Sequence, residues 1–168
     1  MQPATNAFCA SLGVALLDAA RTVGATVHQG GVYLCIEGPQ FSTKGESQLY
    51  RQWGASVIGM TNLPEAKLAR EAELCYSTVA LATDYDCWHE TEEAVTVEAI
   101  LTTLRQNVTL AKRLLRTAMR AVADVKSCSC QRALQDAIIT APDRMSSSLK
   151  RKLALLKDRV VSAKKGAR

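Results

Sequence analysis

The stretch ASVIGMTNLPEAKLAREAELCYSTVALATDYDCW, residues 55–88, decides the fold class. Ser56–Met60 is short, apolar and β-branched, as a strand requires. From about Pro64 to Glu73 the charges interleave with Ala and Leu in helical fashion, and Cys75–Thr83 is then strongly apolar again. Strand, helix, strand within some thirty residues predicts an α/β fold with a largely buried sheet.

The flanks extend that pattern. Upstream, Leu12, Ala15, Leu16, Ala19, Ala20 and Val23 recur at helical spacing over 11–23, with Ser11 as the expected N-cap and Gly24 as the stop. Residues 26–36 favour strand, with Gln29-Gly30-Gly31 read as a turn between two strands. Thr43-Lys44-Gly45-Glu46 has capping-box spacing and predicts a helix to about Trp53. Downstream, 95–125 reads as one long amphipathic helix, a shorter one is expected over 131–139, and Ser146–Ser148 cap a last one.

At 168 residues, with 48% apolar and 22% charged residues, the chain suits one packed domain. Its +5 charge is uneven. Residues 146–168 carry eight basic residues against one acid, which makes that tail +7 and leaves −2 for residues 1–145. A basic tail attracts polyanions, but this one lacks an aromatic residue for base stacking, so a solvated terminal helix is expected and nucleic-acid binding is not. Of the six cysteines four are scattered, which fits reduced thiols, and the one close pair, Cys128-Ser129-Cys130, lacks the two-residue gap of common zinc sites. Neither a leader nor an 18-residue apolar run is present, so a cytoplasmic protein without a membrane span is expected.

Three segments offer chemistry. Asp84 and Asp86 close the most apolar stretch, where ligands gather in open α/β sheets, and two residues apart on a strand they face one way. A protonated Asp donates to a ring nitrogen and an ionised one accepts from an amine. The same spacing equally fits two surface acids capping the next helix. Phe41, in Glu37-Gly38-Pro39-Gln40-Phe41-Ser42-Thr43, fits either stacking on a flat heterocycle or plugging the space beneath the turn. Met60 and Thr61 end a strand at a helix start, where polar ligands are favoured, although Met60 also suits plain core filling. The acids of His89-Glu90-Thr91-Glu92-Glu93 read as a helix entry rather than a metal site.

Together, IEGPQFSTKGES (36–47), ASVIGMTNLPEAKLAREAELCYSTVALATDYDCWH (55–89) and EEAVTVEAIL (92–101) resemble the methylthioadenosine phosphorylase branch of the trimeric purine nucleoside phosphorylase family. The resemblance implies a partial nucleoside-phosphorylase-like sheet flanked by helices, with a helical C-terminal region, in one partial domain over 1–168. It implies phosphorolysis of methylthioadenosine to adenine and methylthioribose 1-phosphate, with inorganic phosphate as co-substrate and neither metal nor organic cofactor.

By that resemblance Phe41 lies against adenine with Ser42 near its edge. Asp84 protonates the departing base at N7, and Asp86 accepts from the 6-amino group. Met60 faces the ribose, Thr61 helps hold phosphate, and Val97, Ile100 and Leu101 line an apolar slot for the methylthio group. The chain departs from the family at Lys44-Gly45, where Arg-Ala is usual, and at Asn6-Ala7. It corresponds to a C-terminal half, the other half supplying a glycine-rich loop and an Arg-His pair for phosphate. A histidine that reaches the neighbouring subunit falls at Met1. A homotrimer is implied once that half is present; the alternatives are an inert purine-binding or subunit-contact fragment and a broader purine nucleoside phosphorylase. The Cys128/Cys130 pair has counterparts in the family, in some members disulfide-bonded; reduced thiols are expected here.

Overall fold

The computed structural model describes residues 7–88, 97–123, 128–135, 137 and 139–156. Five α-helices are assigned among them: α1 (Ala10–Thr22), α2 (Lys44–Gln52), α3 (Asn62–Glu71), α4 (Val97–Val122) and α5 (Ser147–Lys152). Two strands, β1 (Val32–Cys35) and β2 (Ala55–Gly59), pair in parallel, and two 3-10 turns occupy Ser129–Arg132 and Pro142–Arg144. The fold is α/β, a small parallel sheet with helices around it.

The sheet is a βαβ unit, because parallel neighbours require a crossover and α2 supplies it. Its register runs Tyr33↔Val57, Leu34↔Ile58 and Cys35↔Gly59, with an irregularity after Val32. Gly59 is there for space: a Cβ at that position would collide with the Tyr33 hydroxyl. The Thr43 capping box forms as expected. Thr43 Oγ1 accepts the Glu46 N–H, and Glu46 Oε2 accepts the Thr43 N–H at 2.7 Å. Those bonds hold the Glu46 carboxyl below its ordinary range, the Thr43 backbone N–H contributing most and its hydroxyl next.

The core sits between α1 and α4. Ala19, Ala20, Leu114 and Ala118 are buried together, with Leu16, Val23 and Ala25 packed against them. Three alanines at this crossing let the backbones approach closely, so dispersion contacts replace large side chains. Arg113 extends across the join, its guanidinium donating at 3.0 Å to the Val23 carbonyl at the C-terminus of α1.

Four expectations are corrected. Helix α1 is capped by Cys9, whose sulfur accepts the Leu12 N–H, so the helix starts one residue before Ser11. Only Val32–Cys35 of residues 26–36 forms strand; Gly30 and Gly31 take positive φ, yet no hairpin forms around them. Residues 75–83 are not assigned to a strand, because their hydrogen bonds go to single anchors rather than to a ladder. Cys9 N–H donates to the Tyr76 carbonyl at 2.6 Å, and Asn107 Nδ2 to the Ala82 carbonyl at 2.8 Å. Over 131–139 the described residues form a 3-10 turn and further turns instead of an α-helix. Elsewhere α3 starts two residues before Pro64, and α4 occupies 97–122 of the expected 95–125. His89–Glu93 and residues 157–168 of the basic tail lie outside the described residues.

Candidate functional site

The carboxyl ends of parallel strands open on one side of the sheet. From β1 the chain passes through Glu37–Thr43 into α2, and from β2 through Met60 and Thr61 into α3. The two exits touch at Gly38, where an added Cβ would approach the Met60 sulfur to 2.8 Å. Gly38 also has φ of 73°, which an L side chain rarely adopts. The EGP turn is therefore packed against the end of β2.

Asp86 fastens the third segment to the first. Its Oδ2 accepts the Ser47 hydroxyl at 2.6 Å, and its Oδ1 accepts the Cys87 N–H at 2.9 Å. Ser47 is 1% exposed, so this bond to a charged acceptor is shielded from water and correspondingly strong. Cys87 Sγ donates in turn to the Ser42 carbonyl at 3.4 Å. Burial and the neighbouring Asp86 carboxylate push the Cys87 thiol above its ordinary range. Beyond it Trp88 lies under the Arg51 guanidinium, 3.6 Å from ring centre, and meets Tyr85 edge-on.

Around this knot the expected site residues fall as follows. Asp84 is exposed and Asp86 half-buried, so the pair does not present two equivalent carboxylates. Phe41 is 85% exposed and plugs nothing beneath its turn. The Ser42 hydroxyl is buried and has no hydrogen-bond partner among the described residues, an arrangement that costs roughly 1–3 kcal/mol unless something else pairs with it. Met60 is half-buried against Gly38, and Thr61 precedes α3 without capping it through its hydroxyl. Val97 opens α4; Ile100 is half-buried and Leu101 is 45% exposed. Two turns further on, Asn107 grips the Ala82 carbonyl, which aligns the start of α4 with the approach to Asp84.

Ser47 and Cys87 were missed in sequence. Ser47 sits just inside a helix with nothing local to mark it as the partner of an acid 39 residues away.

A second cluster stands apart from these residues. Cys9, Cys75, Cys128 and Cys130 bring their four sulfurs within 4.8 Å of one another, Cys75 and Cys128 being 3.0 Å apart. Burial opposes ionisation of Cys128, but hydrogen bonds from the Cys75 thiol and from Cys130 outweigh it and hold Cys128 at about 7. Donation to Cys128 pushes the Cys75 thiol strongly up, with burial adding to it; burial, then donation to Cys128, takes Cys130 up to about 11.

The chain matches the family model described as the phosphorylase superfamily over residues 2–120. It is 54% identical over 148 residues to the S-methyl-5′-thioadenosine phosphorylase of Geobacter sulfurreducens, a match covering 88% of this chain and 52% of the relative. The corresponding enzyme of Koribacter versatilis is 51% identical, with 88% and 51% covered. Among solved structures, a methylthioadenosine phosphorylase from an antarctic soil metagenomic library superposes with a TM-score of 0.83 at 40% identity, covering 89% of this chain and 54% of that one. The Schistosoma mansoni methylthioadenosine phosphorylase in complex with adenine gives 0.64 at 26%, covering 95% and 55%. The chain thus spans about half the length of the curated relatives it matches.

Proposed function

This chain belongs to the phosphorylase superfamily, and from that premise we propose that it serves phosphorolysis of S-methyl-5′-thioadenosine, giving adenine and 5-methylthioribose 1-phosphate. One observation carries the reading to particular atoms: the Ser47–Asp86 and Cys87–Ser42 hydrogen bonds, at 2.6 and 3.4 Å, tie the aromatic-bearing turn to the Asp84-x-Asp86 segment. The relatives named above supply the substrate.

In this reading the two aspartates divide the labour because their surroundings differ. Asp86 accepts from two donors, as a carboxylate does, and is the acceptor for the 6-amino group of adenine. Asp84, exposed at the rim, delivers a proton to N7 as the glycosidic bond lengthens. The electron pair of that bond leaves with the base, and phosphate oxygen bonds to the anomeric carbon as positive charge on the ribose is quenched. Phe41 is the stacking face for the purine, and the Ser42 hydroxyl, without a partner among the described residues, meets its edge. Met60 lies along the ribose, Thr61 contributes to holding phosphate, and Val97, Ile100 and Leu101 receive the methylthio group. Phosphate is a co-substrate, and the reaction calls on no metal or organic cofactor.

The wider setting follows from the same reading: a homotrimer, acting in the cytoplasm in purine and methionine salvage. No described helix is long and apolar enough to cross a membrane. The test is release of adenine from methylthioadenosine by the purified chain, with and without phosphate, set against adenosine and inosine. Phosphate-dependent release fastest with methylthioadenosine is expected. Inosine as the best substrate would overturn the roles given to Asp84 and Asp86, and adenine binding indifferent to phosphate would favour a half-site without activity.

A further inference from the structure

We propose that Cys9, Cys75, Cys128 and Cys130 form a tetrathiolate zinc site that clasps three separate parts of the chain. The four ligands come from the N-cap of α1, the segment after α3, and the 3-10 turn at Ser129–Arg132 together with its N-cap, Cys128. Nothing in the proposed reaction uses them.

Geometry carries the argument. Zinc bound by four thiolates at about 2.3 Å sets its sulfurs at the corners of a tetrahedron with edges of about 3.8 Å. All six distances among these sulfurs fall within 4.8 Å. Two disulfides demand only two short distances; six at once is the demand of a single central ion. The 3.0 Å separation of Cys75 and Cys128 needs to open by less than about 1 Å to reach the tetrahedral edge, which side-chain rotation supplies.

The surroundings suit the charge of such a centre. Cys9 is 3% exposed, and its sulfur accepts the Leu12 N–H at the start of α1, where backbone dipoles favour an anionic ligand. The ligand-bearing turn is also held without help from the metal. Glu73, 6% exposed, accepts the Leu134 N–H at 3.0 Å, fixing the chain just past Cys130 against the end of α3. A surface recess of about 420 Å³, lined by Cys128, Ser129, Gln131 and Arg132, provides an entry path. Binding exchanges four thiol protons for one Zn²⁺, the protons leaving to solvent, with no change of oxidation state.

The chain purified under reducing conditions is expected to contain one zinc, measured by elemental mass spectrometry. Substituting Co²⁺ should yield thiolate-to-cobalt charge transfer and intense visible bands of tetrahedral sulfur coordination. Cys35→Ser should leave that spectrum unchanged, and Cys130→Ser should weaken the charge transfer. If Cys130→Ser fails to fold, thiol counting on the unaltered chain decides: four of six cysteines should resist a thiol reagent until a chelator is added. A reduced chain that takes up neither zinc nor cobalt overturns the proposal. So does a chain isolated with these cysteines as disulfides whose reduced form binds no metal.

Discussion

The two ends of residues 75–86 carry different chemistry in opposite states of closure. At one end Cys75 meets three other thiols, buried Cys9 among them, and the Tyr76 hydroxyl lies 2.7 Å from Asn62 Oδ1 and 2.8 Å from Glu65 Oε2. Hydrogen-bonding groups there are answered by protein. At the other end Asp84 and Phe41 are exposed, and the Ser42 hydroxyl is buried without a partner among the described residues. Groups matched within the chain hold a fold together, whereas groups left over at a strand exit are what a ligand completes. On the proposed reading, the cysteine end is structural and the aspartate end is where the reaction takes place.

The largest expected effect breaks the chemical end. Asp84→Ala should lower kcat/KM for methylthioadenosine about a hundredfold or more while leaving the thermal midpoint near that of the parent, since Asp84 is exposed. Asp84→Asn should shift preference toward inosine, read from relative initial rates. A rate within twofold of the parent would remove Asp84 from the reaction.

The opposite pattern is expected at the closed end. Cys9→Ala should cost about 3 kcal/mol of stability, a fall in melting temperature of roughly 6–12 °C, and removing zinc with a chelator should lower the parent similarly. Calorimetry with and without chelator checks both, and a variant that melts with the parent would dissolve the contrast. Ser47→Ala tests the join between EGPQFS and Asp86. Deprived of one donor, the carboxylate loses its fixed position, and KM for methylthioadenosine should rise about tenfold with kcat changed less.

The smallest effect concerns Glu46, the N3 residue of α2, whose bonds go to Thr43 at the cap. Its carboxyl is held below the ordinary range, so its contribution is fully present above the unfolded-state pKa and fades as pH falls through the lower folded value. Glu46→Gln keeps a capping side chain that does not titrate. Melts across acidic pH should show a slightly shallower decline for the variant, and parallel curves would deny the capping box its share.

Much of the fold was legible because it is written in local terms. The α2 cap needs only Thr43 and Glu46, three residues apart, and α1 and α4 declare themselves by spacing. What escaped depends on distant partners. Cys75–Thr83 has the composition of a strand, but composition states a preference for burial and cannot supply a ladder; its Tyr76 and Ala82 carbonyls are met instead by Cys9 and Asn107. The segment at 131–139 has helical spacing, yet the described part is drawn into turns where Leu134 bonds to Glu73. At the site Asp84, Asp86 and Phe41 were visible as residue types, with surface and core readings open beside the functional ones. Ser47 was not visible, because its importance lies in one bond across 39 positions. The cysteine cluster was concealed most thoroughly: a search for two-residue gaps passes over Cys75 and Cys128, 53 positions apart.

Gly38 joins the two strand exits. With no side chain at that position, Met60 rests directly on the turn leading to Phe41, and both sit at exits of the same paired strands. The two strand exits are thereby held in contact through a single position. Enlarging residue 38, even to alanine, would strain the backbone at a φ of 73° and press a methyl group against the Met60 sulfur, so the contact between the two exits and the stability of the chain would suffer together.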